Sequence, residues 1–297
     1  TYTADRWCGR RVSTGMTISR QTGPDGSQYC ARVKRDSGDS ATDPCQIAQS
    51  FETADTYRYL GKKVTLRFKA RAGANFSAAS SVMAVAVRTG TGTDQNILTG
   101  YTGDNADAVG NPVLTTSWQT FNFTSAAIIA TTVREIGASF NFTPVGTAGA
   151  ADYFEIAEVE LVEGDIASTY FERIPFQIEM SHCQRYYRKS FPYATAPAQN
   201  TGSGAGSLFT PQAVGASTAT CMSSVNFETP MRVAPTVTLY NPAAANAQVR
   251  NFSVPADCSA SAVSGSGDRG FTVTCTSPGG SAAGNQLGVH WQAVAEI

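Results

Sequence analysis

The clearest feature of the chain is a two-residue alternation of apolar and polar positions. Val64, Leu66, Phe68 and Ala70 alternate with Thr65, Arg67 and Lys69, the signature of a half-buried strand. Residues 82–87 are apolar on both faces, which predicts an inner strand or one covered by a neighbour. Residues 118–123 place Phe121 and Phe123 on one face, and Ile136, Ala138, Phe140 and Phe142 line another strand. A Gly/Ala hairpin at 145–151 leads into a strand over 153–162. In that strand Ile156 and Val159 have opposite parity although both should face inward, so a bulge near Ala157 is expected. Residues 46–59 predict a strand and a short helical turn. Residues 20–45 read as loop, with the turn chemistry of Gly23-Pro24-Asp25-Gly26, and residues 89–117 read as a long loop. Short strands with Gly-rich turns between them predict a sandwich.

The pattern changes at residues 170–189. Pro175 sets φ for a first helical turn, and Phe176, Met180, Cys183 and Tyr187 then recur as one helical stripe. A helix over about 176–182 passing into a strand over 185–191 is expected, its stripe serving as packing. Residues 194–206 are small and polar, a flexible loop by composition. Strands are predicted at 219–227, 236–240, 249–254, 259–263, 271–275 and 287–295, with Pro230 and Pro235 marking an edge or crossing segment. In the last of them Trp291 falls on the core parity and His290 on the opposite one, toward solvent or a neighbouring subunit. No sequence repeat of about 20–50 residues is present. The fold expected is all-β: a jelly-roll β-sandwich over 1–171, a short helical junction over 172–190, and a second, smaller β-sandwich over 191–297.

Composition narrows the function. The chain has 297 residues, enough for two domains, and only 15% of them are charged. That balance suits an extracellular or virion β protein rather than a helical cytosolic enzyme. A formal net charge of −1 leaves no basic footprint for nucleic acid, and Arg185, Arg188 and Lys189 form only a local cluster. No apolar run reaches the roughly 18 residues of a membrane span, and no signal peptide is recognisable. The chain opens at Thr1 without a Met, already inside a motif, which suggests a piece of a longer protein. Cys8, Cys30, Cys45, Cys183, Cys221, Cys258 and Cys275 are odd in number and never in CxxC spacing, and His182 and His290 are the only histidines. A zinc site is not indicated; buried free thiols are expected, with a pair within 8/30/45 or within 221/258/275 as the alternative.

Several stretches carry a family likeness. The junction FERIPFQIEMSHCQRYYRKS (residues 171–190) resembles the "FERRP…CQRYY" junction of tail-fibre and minor tail proteins of phages and prophages. TADRW (3–7), LGKKVTLRFKARA (60–72), TTSWQTFNF (115–123) and FEIAEVELVEGDIASTYFER (154–173) match the same group. Over 191–297 the resemblance is looser and rests on MRVAPTVTLY (231–240) and HWQAVAEI (290–297). The resemblance implies a jelly roll like those of carbohydrate-binding modules, then a trimeric fibre-tip domain, in a protein made in the bacterial cytoplasm and carried on the virion. Phe176, Tyr186, Tyr187 and His290 are the candidate subunit-interface residues. Trp7 falls in the DRW element and is expected as a core or hinge anchor.

There is no GxSxG, neither histidine stands in a nucleophile-elbow context, and Glu155, Glu158, Glu160 and Glu163 ride one strand whose alternation sends several to solvent. An enzyme is therefore not expected. Glycan binding asks for less: an aromatic face and Asn, Asp, Arg or Gln side chains on loops of a rigid scaffold. One candidate set is Tyr101, Asp104, Asn105, Asp107 and Asn111; the other is Tyr240, Asn241, Asn246, Arg250, Asn251, Asp268 and Arg269. Carbohydrate-binding jelly rolls often hold a structural calcium, and Asp104, Asn105 and Asp107 offer oxygen ligands, a secondary expectation; no other cofactor is expected. The reading is a receptor-binding tail-fibre fragment that recognises host-surface polysaccharide, with itself as homotrimer and other virion tail proteins as partners, and neither nucleic acid nor membrane insertion. The alternatives are a structural spacer or decoration domain, and a capsule depolymerase with an inter-subunit site.

Overall fold

The structure is a computed structural model describing every residue except 1, 5, 166–170, 172–173, 204–205, 207 and 212–219; at 2–4, 208–211 and 221 it describes the backbone alone. The protein is all-β and divides into two compact units, Thr1–Arg173 with Ile297, and Ile174–Glu296. The junction helix belongs to the second.

The strands of the first unit are β1 (Tyr2–Ala4), β2 (Trp7–Arg10), β3 (Met16–Thr22), β4 (Tyr29–Arg35), β5 (Cys45–Ser50), β6 (Val64–Ala72), β7 (Ala84–Gly90), β8 (Asn105–Gly110), β9 (Gln119–Thr124), β10 (Glu135–Phe142) and β11 (Tyr153–Glu163). A four-residue helix, α1 (Thr53–Thr56), follows β5. The strands form a six-stranded sheet, β1-β2-β5-β10-β7-β8, and a five-stranded sheet, β3-β4-β11-β6-β9, with antiparallel pairing throughout. Successive strands repeatedly cross from one sheet to the other, the jelly-roll form. Between the sheets, Phe68 of β6 meets Phe140 of β10 edge-on at 4.9 Å, and Phe142 meets Phe154 of β11 at 5.8 Å. Each such ring removed from water contributes roughly 1.5–3 kcal/mol. Trp7 packs on the same core, 6.1 Å from Phe140.

The alternation in β6 is as expected on its inward side, where Val64, Leu66, Phe68 and Ala70 are fully buried. Its polar side is not open to solvent as expected, because Thr65 and Arg67 are buried too. Arg67 is covered through its ion pair with Glu160 at 2.6 Å, and the Thr65 hydroxyl donates to the Gly164 carbonyl at 2.7 Å. The bulge in β11 lies where parity placed it. Register passes from Ala157 opposite Lys69 to Glu160 opposite Arg67, and Glu158 takes a left-handed φ of 50°. Ile156 and Val159 thereby both reach the core.

Two stretches expected as loop contain strands. In β4 only Ala31 and Val33 are inward apolar residues, and the inward Arg35 disguises the alternation. In the 89–117 stretch β8 is a polar edge strand with one partner, β7. It needs no second apolar face, and so leaves no strong pattern.

The second unit begins with α2 (Phe176–Gln184) and β12 (Tyr187–Lys189), close to the expected helix-to-strand passage. There follow β13 (Leu208–Pro211), β14 (Thr220–Asn226), β15 (Thr236–Tyr240), β16 (Arg250–Asn251), β17 (Ala256–Asp257), β18 (Ser259–Gly267), β19 (Gly270–Thr276) and β20 (Gln286–Val294). Strand β20 is the hub. Its C-terminal half pairs with β12 and β15, its N-terminal half with β13 and β16. The three-stranded sheet β14-β19-β18 supplies the facing layer of a smaller sandwich. The core holds Leu287 and Val289 of β20 with Phe271, Val273 and Cys275 of β19, and Trp291 joins it 5.2 Å from Phe271. The stripe on α2 is not core: no residue of the helix is buried, and Phe176 is 65% exposed. Among the described residues no helix is long and apolar enough to cross a membrane.

Candidate functional site

The outer face of the five-stranded sheet carries an ordered array of charge. Cross-strand register places Arg32 of β4 opposite Glu155 of β11, and Glu155 opposite Arg71 of β6. Extended by one residue, the β6–β9 register brings Trp118 beside Arg71. Glu155 accepts from both arginines: Arg32 at 2.6 Å to Oε1, and Arg71 through its Nε to Oε2. The guanidiniums lie against aromatic rings, Arg32 over Tyr153 at 4.0 Å and Arg71 over Trp118 at 4.9 Å, in cation–π geometry. One fully buried carboxylate thus orients two cations and, through them, two half-buried aromatics.

Next along the sheet lies the β11 bulge. Glu158 accepts from the Ser27 hydroxyl at 2.7 Å and from Lys69 of β6 at 2.9 Å. Ser27 belongs to the turn between β3 and β4, closed by Ser27 N–H donating to the Pro24 carbonyl at 2.8 Å. This is the turn expected from Gly-Pro-Asp-Gly. Gly23 is required in it, since a Cβ there would lie 2.5 Å from the Ser27 carbonyl oxygen. Arched over the sheet, the turn walls a trough of about 430 Å³ lined by Gly23, Pro24, Asp25, Lys69, Trp118 and Thr120. Beneath it Cys30 is buried, its Sγ donating to the Thr22 carbonyl at 3.3 Å. Burial, reinforced by the Glu155 charge, pushes this thiol up to about 11.

The residues selected from sequence lie elsewhere. Tyr101 is buried with Cys8, Ala48 and Ile97, and offers no face to a ligand. Asp104 is paired with the Arg88 guanidinium, whose Nε donates at 2.9 Å. Asp107 accepts from the Thr89 hydroxyl and, at 3.0 Å, from Asn105. Asn111 is exposed just beyond β8. Asp104, Asn105 and Asp107, the secondary calcium candidates, bond to Arg88, Thr89 and one another; among the described residues no group of three or more His, Cys, Asp or Glu side chains gathers to hold a metal ion.

In the second unit Asn241 and Asn251 are fully buried and organise loops. Asn241 donates to Asn246 at 2.7 Å and accepts from Ala243 N–H at 2.8 Å. Asn251 donates to Ser281 at 3.0 Å and accepts from the N–H groups of Ser253 and Val254 at 2.9 and 3.0 Å. Asn246 and Arg250 converge on Asp257, at 2.8 and 2.9 Å. Tyr240 is half-buried against Phe191, while Asp268 and Arg269 are exposed.

The interface residues also separate. Phe176 is exposed, Tyr187 half-buried, and Tyr186 and His290 are buried. His290 does not face solvent as expected: the chain after β12 folds over it. Its ring stacks on Phe191 at 4.2 Å, Nε2 lies 2.9 Å from the Gly202 carbonyl, and Nδ1 lies 3.0 Å from the Ser190 hydroxyl. A carbonyl only accepts, so Nε2 carries the proton and Nδ1 accepts from Ser190. This serine–histidine contact is enclosed, with His290 at 2% exposure, and offers no opening to a substrate.

Sequence reading overlooked Trp118, Lys69 and Arg71 as a site, and sent several of the β11 glutamates to solvent. Parity did place Glu155 outward, but the arginines opposite it close over the carboxylate. The available signal was the pairing of Arg67, Lys69 and Arg71 on one strand with Glu155, Glu158 and Glu160 on another.

No family model and no curated protein sequence matches the chain. Solved structures with partial likeness include the enzymatically active domain of tailspike protein 4 of bacteriophage CBA120, at 11% identity over 53% of this chain and 19% of that one, TM-score 0.37. Also similar is the family 11 carbohydrate-binding module of Clostridium thermocellum in complex with a β-1,3-1,4-mixed-linked tetrasaccharide, at 11% identity over 54% of this chain and 89% of that one, TM-score 0.36. The xylan-binding domain CBM22-1 of Paenibacillus barcinonensis Xyn10C matches at 11% identity over 55% of this chain and 93% of that one, TM-score 0.34. The matched length is about half of this chain in each case, and less than a fifth of the tailspike domain.

Proposed function

We propose that this chain binds polysaccharide non-covalently through the outer face of the five-stranded sheet, as a host-recognising part of a phage tail fibre. The observation that carries the binding reading is the trough between the β3–β4 turn and Trp118. It combines a half-buried indole with Lys69, Thr120 and Asp25, an apolar surface ringed by donors and acceptors. Sugar rings present C–H faces that stack on an indole and hydroxyls that need both kinds of partner. Cations of this face are held across strands, Lys69 by Glu158 and both Arg32 and Arg71 by Glu155. The tail-fibre reading is supported by the junction motif and the four stretches that resemble phage tail proteins. The fibre assembles as a trimer on the virion, so that three weak sites engage one cell together.

Affinity electrophoresis of the whole chain through gels carrying barley β-glucan, xylan or bacterial capsular polysaccharide tests the platform. At least one polysaccharide is expected to retard the chain, and Trp118→Ala to weaken that retention about tenfold, the effect of one lost stacking contact. No reducing ends should be released on prolonged incubation. Retention untouched by Trp118→Ala would move the site off this face. Light scattering should give the mass of three chains; a monomer would refute the trimer.

A further inference from the structure

We propose that the polysaccharide taken by this face is acidic, its carboxylate received by Arg71 while the sugar ring lies against Trp118; this rests on the sugar-platform reading above. The face is layered by charge. The Glu155 side chain is 0% exposed and that of Glu158 8%, whereas Arg32, Lys69 and Arg71 are exposed to 23%, 28% and 30%. Carboxylates lie beneath and cations on top, so an approaching ligand meets positive charge although the chain as a whole carries −1.

The count of ion pairs points the same way. One carboxylate, Glu155, serves two guanidiniums, so the Arg32–Glu155–Arg71 row retains a positive charge. Arg71 uses only Nε on Glu155; its two terminal nitrogens have no hydrogen-bond partner among the described residues. These two nitrogens form a planar fork that matches both oxygens of a carboxylate. Glu155 and Trp118 already hold the fork in place, so little side-chain freedom is lost on binding. A guanidinium donates but cannot accept, so it meets only half of what a neutral sugar hydroxyl offers, whereas both oxygens of a carboxylate accept from the fork. Asp25, an acid lining the trough, stands on the exposed β3–β4 turn and disfavours a carboxylate beside it.

The test compares polygalacturonate, hyaluronan and polysialic acid, each with its own methyl ester, so that charge changes and the backbone does not. The whole chain is expected to bind at least one acidic form about tenfold or more tightly than its ester, the range of a hydrogen-bonded charge. That preference should shrink as salt rises. Arg71→Gln should bring the acid and its ester to equal affinity; Arg71→Lys, which keeps the charge without the fork, should retain part of the preference. Near-ultraviolet circular dichroism checks that both variants keep the native packing. Equal binding of acid and ester in every pair, or a preference surviving in Arg71→Gln, overturns the proposal. Trp118-dependent binding of neutral β-glucan or xylan without any acid preference refutes the acidic ligand and leaves the sugar platform standing. No retention by any polysaccharide, neutral or acidic, refutes the platform and this proposal with it.

Discussion

Loops of the first unit are tied down by buried ions, and those of the second by buried amides. In the first, the Arg35 side chain is fully enclosed. It pairs with Asp152 at 3.2 Å and donates to the carbonyls of Asp39, Ala41 and Gly146 at 2.7–2.8 Å. Asp152 in turn accepts from the Ser77 N–H and hydroxyl, so one ion pair gathers three loops at the end of the sandwich. In the second unit Asn241 and Asn251 do the same work without charge: Asn241 donates and accepts within its own loop, and Asn251 accepts within its own loop and donates across to Ser281 and Asn285. The difference lies in how many segments one side chain joins. A guanidinium offers five donors in a fork and gathers several loops at once, whereas an amide balances donor and acceptor and here joins two segments at most. The cost of failure also differs, because a charge left alone in the interior is far worse than an amide left alone.

Breaking one member of each pin measures that difference. Asp152→Ala strands Arg35 among carbonyls and should cost the first unit about 4 kcal/mol, as for other buried pairs cut on one side. Asn251→Ala leaves the Ser253 and Val254 N–H groups unpaired and should cost the second unit about 2 kcal/mol. Urea unfolding followed by tryptophan fluorescence reads both. The chain's three tryptophans divide usefully, with Trp7 and Trp118 in the first unit and Trp291 in the second. Equal losses in the two variants would break the comparison. The Arg35→Met/Asp152→Leu double variant sharpens it: removing both charges should cost less than removing one.

Where side chains pack inward, the sequence was readable. The strand at Thr236–Tyr240 falls on the residues expected, the inward sets of β6 and β10 are buried, and parity alone located the bulge in β11. Strand β4 was hidden because its inward set includes Arg35, and no apolar period survives a buried cation. The candidate site was hidden for a different reason. Trp118 stands one residue before β9, and its relation to Arg71 and Glu155 exists only once β4, β11, β6 and β9 are laid side by side. Periodicity says which face a residue takes, but not which residue lies across from it. That is why parity alone could not say that the arginines opposite Glu155 close over its carboxylate. It is also why Asn241 and Asn251, attractive as loop residues, prove to be internal.

The smallest effect expected separates the units by their thiols. In the first, burial pushes Cys30 from 9.0 up to about 11 and Cys45 from 9.0 up to about 12. In the second, a hydrogen bond from Cys275 outweighs burial and holds Cys258 below the ordinary value. A thiol whose folded value is raised supports the fold fully below the unfolded value. As pH rises past that value the unfolded chain releases a proton that the folded chain retains, and the support is lost progressively toward the folded value. Cys258 has the opposite sign: its contribution grows as pH rises from its folded value toward 9.0 and is complete above it. Between about pH 9 and 10, below the ordinary tyrosine value of 10.0, the first unit should therefore lose stability through its thiols while the second does not. Urea titrations in a reducing buffer, read through Trp7 and Trp118 for one unit and Trp291 for the other, would show the first midpoint falling alone. Parallel movement of both midpoints would refute the assignment, as would a Cys45→Ala variant that keeps the full alkaline loss, because Cys45 carries the larger of the two shifts.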